Sequence, residues 1–116
     1  MTHKIALLAA ALMLPATLAL ADEPKGDAAH GKQLFLADGC YECHGYVGQG
    51  GPGLRLAPNP KPPVAIAAYI RNPVGEMPPY TSAVLSDQGI RDIYAYLSTI
   101  PAAPKLADIP LLKVGE

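Results

Sequence analysis

Two cysteines and a histidine lie within five positions of this 116-residue chain, in the segment CYECH at positions 40–44. Cys40 and Cys43 are the only cysteines in the sequence, so no other thiol competes for them. Thiolate sulfur and imidazole nitrogen are good ligands for transition metals, and a close pair of thiols can also form a disulfide or exchange with one. The chemistry of the chain is therefore expected to centre on Cys40, Cys43 and His44.

Four interpretations fit this spacing: a local disulfide, half of a zinc site, a thiol redox pair and covalent attachment of haem. A zinc site normally needs four protein ligands, and His30 is the only other usual nitrogen or sulfur ligand after residue 21. A redox C-x-x-C motif belongs near a βαβ pattern, which this sequence lacks. C-x-x-C-H is the attachment sequence of c-type haem. Each thiol adds to one vinyl group of the porphyrin, and the following histidine becomes the proximal iron ligand.

Met77 offers a second possible ligand to iron. It is the only methionine after residue 21, and Pro78 and Pro79 follow it directly. Proline fixes its own φ and restricts the residue before it, so this segment can hold a thioether at a defined point. Filling a gap in the core is the commoner role of methionine, but the flanks of Met77 show no apolar period. The sequence therefore favours Met77 as an axial ligand.

Residues 1–21 have the order of regions found in a secretory signal peptide. A positive start precedes an uncharged apolar run, and Ala19 and Ala21 supply the small residues of a cleavage site. The run is short for a bilayer span of ~20 residues, and Pro15 interrupts it. We expect cleavage after Ala21, a periplasmic location and no stable membrane insertion afterwards. An uncleaved signal would instead leave the protein tethered to the membrane.

The remaining sequence predicts short helices joined by loops that are rich in glycine and proline. Helices are expected at 28–37, 64–71 and 87–99, with Asp27 and Ser86 as N-caps, and no strand is predicted. We assign residues 22–100 to one domain and residues 101–116 to a tail that contains prolines. The chain has nine basic and ten acidic side chains, a balance that argues against nucleic acid as a partner.

These motifs resemble those of the class I c-type cytochromes, in particular the small monohaem proteins of the bacterial periplasm. The matching segments are, in order, GKQLF, CYECHG, GPGL, MPPY and LSDQGIRDIYAYLSTI. The resemblance implies an all-α cytochrome c fold, with three to four short helices wrapped around one covalently bound haem. It also implies that Ile93 and Tyr96 of the last helix cross Gly31 and Phe35 of the first, which would explain a glycine inside a helix.

The same resemblance implies a set of site residues. One haem c would be attached through Cys40 and Cys43, with His44 and Met77 as the axial ligands of the iron. The carbonyl of Pro52 would accept a hydrogen bond from the free N–H of His44.

Arg55 and Arg71 are candidate partners of the haem propionates, because arginine suits planar carboxylate contacts. Each of them is equally compatible with an ordinary solvated surface charge. His30 is predicted to be an exposed helix residue.

The function implied is electron transfer and not catalysis, because two axial ligands leave the iron no free position. The redox partner would be a periplasmic dehydrogenase, a bc1-type complex or a terminal oxidase or reductase, and the chain a soluble carrier or a dedicated cytochrome subunit of such a dehydrogenase. The alternative is a haem sensor or a peroxidase-like protein with a displaceable sixth ligand, and Met77 distinguishes the two.

Overall fold

The computed structural model describes residues 25–110, and within them every regular element is helical. The predicted signal peptide and the last six residues lie outside this part of the chain. The elements, in order, are α1 (Ala28–Ala37), α2 (Cys40–His44), α3 (Pro63–Arg71), α4 (Asp87–Ser98) and a 3₁₀ helix (Leu106–Asp108). Short helices joined by long loops are the all-α architecture that the resemblance to class I c-type cytochromes implies.

The ends of the helices follow from side-chain caps and prolines. The Asp27 carboxylate accepts the N–H of Ala29 at 2.8 Å and that of His30 at 3.0 Å, which begins α1. The Ser86 hydroxyl accepts the N–H of Gly89 at 3.0 Å and begins α4. Such caps satisfy backbone donors that have no partner within the helix. The predicted helix starts at 28 and 87 are therefore confirmed.

The central packing contact is the crossing of α1 and α4. A Cβ on Gly31 would overlap the backbone carbonyl of Asp92 and lie 2.7 Å from the backbone nitrogen of Ile93. The two helices therefore approach each other closely only because residue 31 has no side chain. One turn further on, the Phe35 and Tyr96 rings pack at 5.7 Å between centroids with an interplanar angle of 57°. The predicted crossing is confirmed.

The hydrophobic core lies around this crossing and also receives buried residues from α3 and from both long loops. Phe35, Ile90 and Leu97 are almost completely buried. The whole buried cluster consists of Phe35, Ala57, Ile70, Leu85, Ile90, Ile93, Tyr96 and Leu97.

The segment between α2 and α3 has no regular structure but is closed on itself. The N–H groups of Leu56 and Ala57 both donate to the carbonyl of Gly48, at 2.8 and 2.9 Å. These bonds, together with the buried Ala57, hold the loop against the core. The loop therefore contacts the helical part of the protein through Ala57.

Residues 101–110 lie mostly at the surface, beyond α4. None of the helices in residues 25–110 has the length and apolar character that crossing a membrane requires.

Candidate functional site

The segment CYECH forms α2, a helix of five residues between two glycines. Gly39 has φ +74° and Gly45 has φ +77°, a region of backbone conformation that favours glycine. Gly39 turns the chain sharply out of α1, and Gly45 turns it into the following loop. The motif is therefore presented as one compact helical turn between two fixed bends.

Backbone groups of the next loop cap the C-terminal end of α2. The N–H of Gly53 donates to the Cys43 carbonyl at 2.8 Å, and the N–H of Gly50 donates to the His44 carbonyl at 2.8 Å. The last carbonyls of a helix otherwise lack partners within the helix. These two bonds fix the loop at residues 50–53 against the cysteine–histidine segment.

His44 is oriented by a hydrogen bond from its own ring. Its Nδ1 lies 2.7 Å from the backbone carbonyl oxygen of Leu54. A carbonyl oxygen can only accept, so Nδ1 carries a proton, and in the neutral ring Nε2 is the nitrogen with the lone pair. An imidazole held in this tautomer is ready to ligate a metal through Nε2, and a bond of this kind also raises the basicity of the ligand.

The predicted acceptor for His44 was wrong: the acceptor is the carbonyl of Leu54, and not that of Pro52. The N–H of Gly51 donates to the Gly53 carbonyl at 3.0 Å, which closes a tight turn around Pro52. Pro52 therefore lies at the apex of the turn and is exposed, while the chain leaving the turn brings the Leu54 carbonyl to the ring.

Gly53 forms part of the cradle of the imidazole. A Cβ at this position would lie 2.9 Å from both Cε1 and Nδ1 of His44. Such a contact is too short for two non-bonded heavy atoms, so the ring can occupy its place only beside a glycine.

The two cysteines are both free thiols but differ in environment. Cys43 is exposed, whereas Cys40 is partly buried against the core. Burial, and to a lesser extent the negative charge of Asp38, raise the pKa of Cys40 to about 11, although a hydrogen bond from its own backbone acts in the opposite direction. Cys40 is therefore a protonated thiol at neutral pH.

Met77 lies in the loop between α3 and α4, partly buried and packed against the hydrophobic core. The loop is tied to the region before Cys40 by the Tyr80 hydroxyl, which donates to the Asp38 carbonyl at 2.7 Å. The sequence elements MPPY and CYECH, far apart in the chain, are thus linked through Asp38 and Tyr80.

The two arginines have different surroundings. Arg71 donates through Nη1 to the Tyr80 carbonyl at 2.7 Å and through Nη2 to the Asp87 carboxylate at 2.8 Å. Its guanidinium is therefore engaged by the protein itself, and the predicted propionate contact gains no support. Arg55 is exposed, and its role as a propionate partner stays a prediction.

Sequence reasoning missed a polar network at the crossing of α1 and α4. Asp92 is buried and accepts hydrogen bonds from the Asp27 N–H, Gln88 Nε2 and His30 Nδ1, at 2.8, 2.8 and 2.7 Å. Burial alone would raise the pKa of Asp92, but these bonds outweigh it and hold the pKa below its ordinary value. His30 is exposed, as predicted, but its ring also donates a hydrogen bond to Asp92, which was not predicted. The signal that could have predicted this network is an acidic residue, Asp92, between the apolar residues Ile90 and Ile93 of α4.

The residues around α2 fit an iron porphyrin better than the alternative chemistries. Cys40 and Cys43 are unoxidised thiols, and His44 has a free Nε2. Leu54, which orients the histidine, leaves its apolar side chain 66% exposed at the same place. Within residues 25–110, no group of three or more His, Cys, Asp or Glu side chains is gathered as a metal site, so the zinc alternative has no ligand set there.

Comparison with protein families agrees with this donor set. The family described as cytochrome c oxidase, cbb3-type, subunit III matches residues 26–97, which include α1 to α3 and nearly all of α4. Searches of curated proteins and of solved structures found no match. The family match covers more than half of the chain and contains Cys40, Cys43, His44 and Met77. The chain therefore belongs to the cbb3-type cytochrome c oxidase subunit III family and is a small c-type cytochrome of the monohaem class.

Proposed function

We propose that this protein transfers single electrons through one haem c, with His44 and Met77 as the axial ligands. Cys40 and Cys43 would hold the haem through two thioether bonds, formed by addition of each S–H across a vinyl group. The bound iron supplies a one-electron couple between its ferrous and ferric states. The observation that carries the proposal is the hydrogen bond between His44 and Leu54, because it leaves Nε2 available beside two free thiols.

The protein's part in this function is to hold its ligands still. The glycine bends at 39 and 45 and the loop hydrogen bonds to Cys43 and His44 fix the proximal side. Since these groups already have their partners in the folded chain, a change in charge at the site requires little rearrangement. A methionine in the second position raises the reduction potential relative to a second histidine.

The partner we propose is a respiratory complex outside the cytoplasm, of the terminal oxidase type that the family description names. The exposed Cys43 side of α2 is the proposed approach for that partner. Export of the chain after cleavage of residues 1–21 would place the protein in the periplasm. Residues 22–100 would then form the cytochrome domain, and residues 101–116 its tail. A dehydrogenase or bc1-type donor is compatible with the same site.

The test compares carbon monoxide binding by the native haem-loaded protein and by the Met77→Ala variant. We expect slow, weak binding in the native protein and rapid binding with a lower reduction potential in the variant, because the sixth position opens. Val84→Ala is the control, since Val84 lies in the same loop and is 64% exposed. Rapid carbon monoxide binding by the native protein would instead support the sensor or peroxidase-like alternative.

A further inference from the structure

The loop that carries Met77 is held very unequally on its two sides. On the N-terminal side, the Asn72 N–H donates to the Tyr69 carbonyl at 3.1 Å where α3 ends. Between Asn72 and Met77, the only other described hydrogen bond joins the Tyr69 hydroxyl to the Val74 carbonyl at 3.4 Å, a length typical of a weak bond. Gly75 follows with φ +75°, and a Cβ there would have no neighbour within 4 Å. This side of the loop offers little to fix a thioether in place.

On the C-terminal side, Tyr80 is hydrogen-bonded through all of its polar groups. Its N–H donates to the Ile70 carbonyl at 2.8 Å, and its carbonyl accepts from Arg71 Nη1 at 2.7 Å. Its hydroxyl donates to the Asp38 carbonyl at 2.7 Å. One residue therefore connects the loop to the end of α3 and to the turn between α1 and α2.

The link between Tyr80 and Met77 consists of two prolines. Each proline ring locks φ, so Pro78 and Pro79 leave few torsions free between the two residues. Met77 itself, as the residue before a proline, is restricted to extended conformations. The position of Tyr80 therefore restricts the position of Met77.

We propose that Tyr80 is the positioning residue for Met77, and that its hydrogen bond to the Asp38 carbonyl holds the thioether where axial ligation needs it. The inference rests on the proposed His44 and Met77 ligation. Asp38 lies two residues before Cys40, so the covalent attachment and the sixth ligand share one anchor.

The test uses the haem-loaded protein and imidazole as a competing ligand for the sixth position. Tyr80→Phe keeps the ring and removes only the hydroxyl. We expect its apparent affinity for imidazole to rise about five- to tenfold, the factor that corresponds to one neutral hydrogen bond. The weak far-red band of sulfur-ligated ferric haem should be lost at correspondingly lower imidazole.

Tyr94→Phe is the matched control. Tyr94 is a half-buried tyrosine of α4 whose hydroxyl makes no hydrogen bond within the described part of the chain. Its imidazole affinity should equal that of the native protein. Arg71→Met, which removes the donor to the Tyr80 carbonyl, should raise the affinity in the same direction as Tyr80→Phe.

The outcomes separate this inference from the proposed function. If the native protein shows the far-red band and Tyr80→Phe binds imidazole like Tyr94→Phe, Tyr80 does not position Met77 and the inference is overturned while the ligation stands. If the native protein itself lacks the band, the ligation and with it the proposed function fail. An equal rise in imidazole affinity in Tyr80→Phe and Tyr94→Phe would indicate a general effect on packing and would also overturn the inference.

Discussion

Replacing Asp92 with asparagine should destabilise the protein far more than a surface substitution on the same helix. Asp92 is only 3% exposed. Its Oδ1 accepts from the Asp27 N–H and Gln88 Nε2, and its Oδ2 accepts from His30 Nδ1. An asparagine side chain has the same shape but carries no charge, and it turns an N–H₂ group toward donors on one side.

The magnitude follows from the three bonds. Hydrogen bonds to a charged group contribute about 1.5–3 kcal/mol each, against about 1 kcal/mol for neutral pairs. Asp92→Asn weakens all three bonds and places its own N–H₂ group opposite a hydrogen-bond donor. It should therefore lower the free energy of unfolding by about 2–4 kcal/mol. Asp87→Asn is the control, because Asp87 is exposed and its ion pair with Arg71 should contribute less than about 1 kcal/mol.

The effect of Asp92 should also depend on pH, with a defined sign. Its pKa is lowered in the folded state, so the folded protein binds its proton less readily than the unfolded chain does. The stabilisation is then fully present above the ordinary carboxyl pKa of about 4 and is lost as the pH falls through the lowered folded value. The difference between native protein and Asp92→Asn should therefore shrink on acidification.

The assay is urea unfolding of the haem-loaded protein and both variants, at neutral pH and at a series of acidic values. If the free energy of unfolding of Asp92→Asn lies within about 1 kcal/mol of that of Asp87→Asn, the assignment of a strong buried network is refuted. A difference between native and Asp92→Asn that stays constant into acid would refute the lowered pKa.

Two further predictions concern glycines. Gly31→Ala should lower the free energy of unfolding by about 2 kcal/mol or more, measured by urea unfolding, because the new Cβ overlaps the Asp92 backbone and helix propensity returns only ~1 kcal/mol; no loss of stability would contradict the close crossing. Gly53→Ala should displace the His44 ring from the Leu54 carbonyl and raise the reduction potential, measured by redox titration, because an imidazole that loses this bond is less basic and stabilises ferric iron less. An unchanged potential and spectrum would show that the ring needs no such space.

The parts of the fold that could be predicted are those fixed by local signals. Asp27 and Ser86 are capping residues directly before helical segments, and proline ends the regular stretches. Gly31 inside α1 indicated a close helix contact, and the resemblance identified the helix that makes it. The short helix α2 was not predicted as a separate element, because five residues are too few for an apolar period to show.

The features that escaped prediction depend on contacts between distant residues or on the path of a loop. The bond from Asp92 to His30 joins positions 62 residues apart, and no local pattern encodes it. The choice of the Leu54 carbonyl over that of Pro52 is set by the dihedral angles of a glycine-rich turn, which residue types alone leave open. The hydrogen bonds from Arg71 to the Tyr80 carbonyl and the Asp87 carboxylate also depend on the path of the loop between α3 and α4, which residue types alone do not determine.

The most direct test of the central claim is the intact mass of the protein, produced with export and haem maturation, after denaturation in the presence of reductant. We expect one haem to be retained on the polypeptide of the native protein and none on a Cys40→Ala, Cys43→Ala double variant, because both thioether bonds depend on these sulfurs. The same spectrum gives the N-terminus, which is predicted to follow Ala21. A native polypeptide that carries no haem mass under these conditions would refute covalent haem attachment at Cys40 and Cys43.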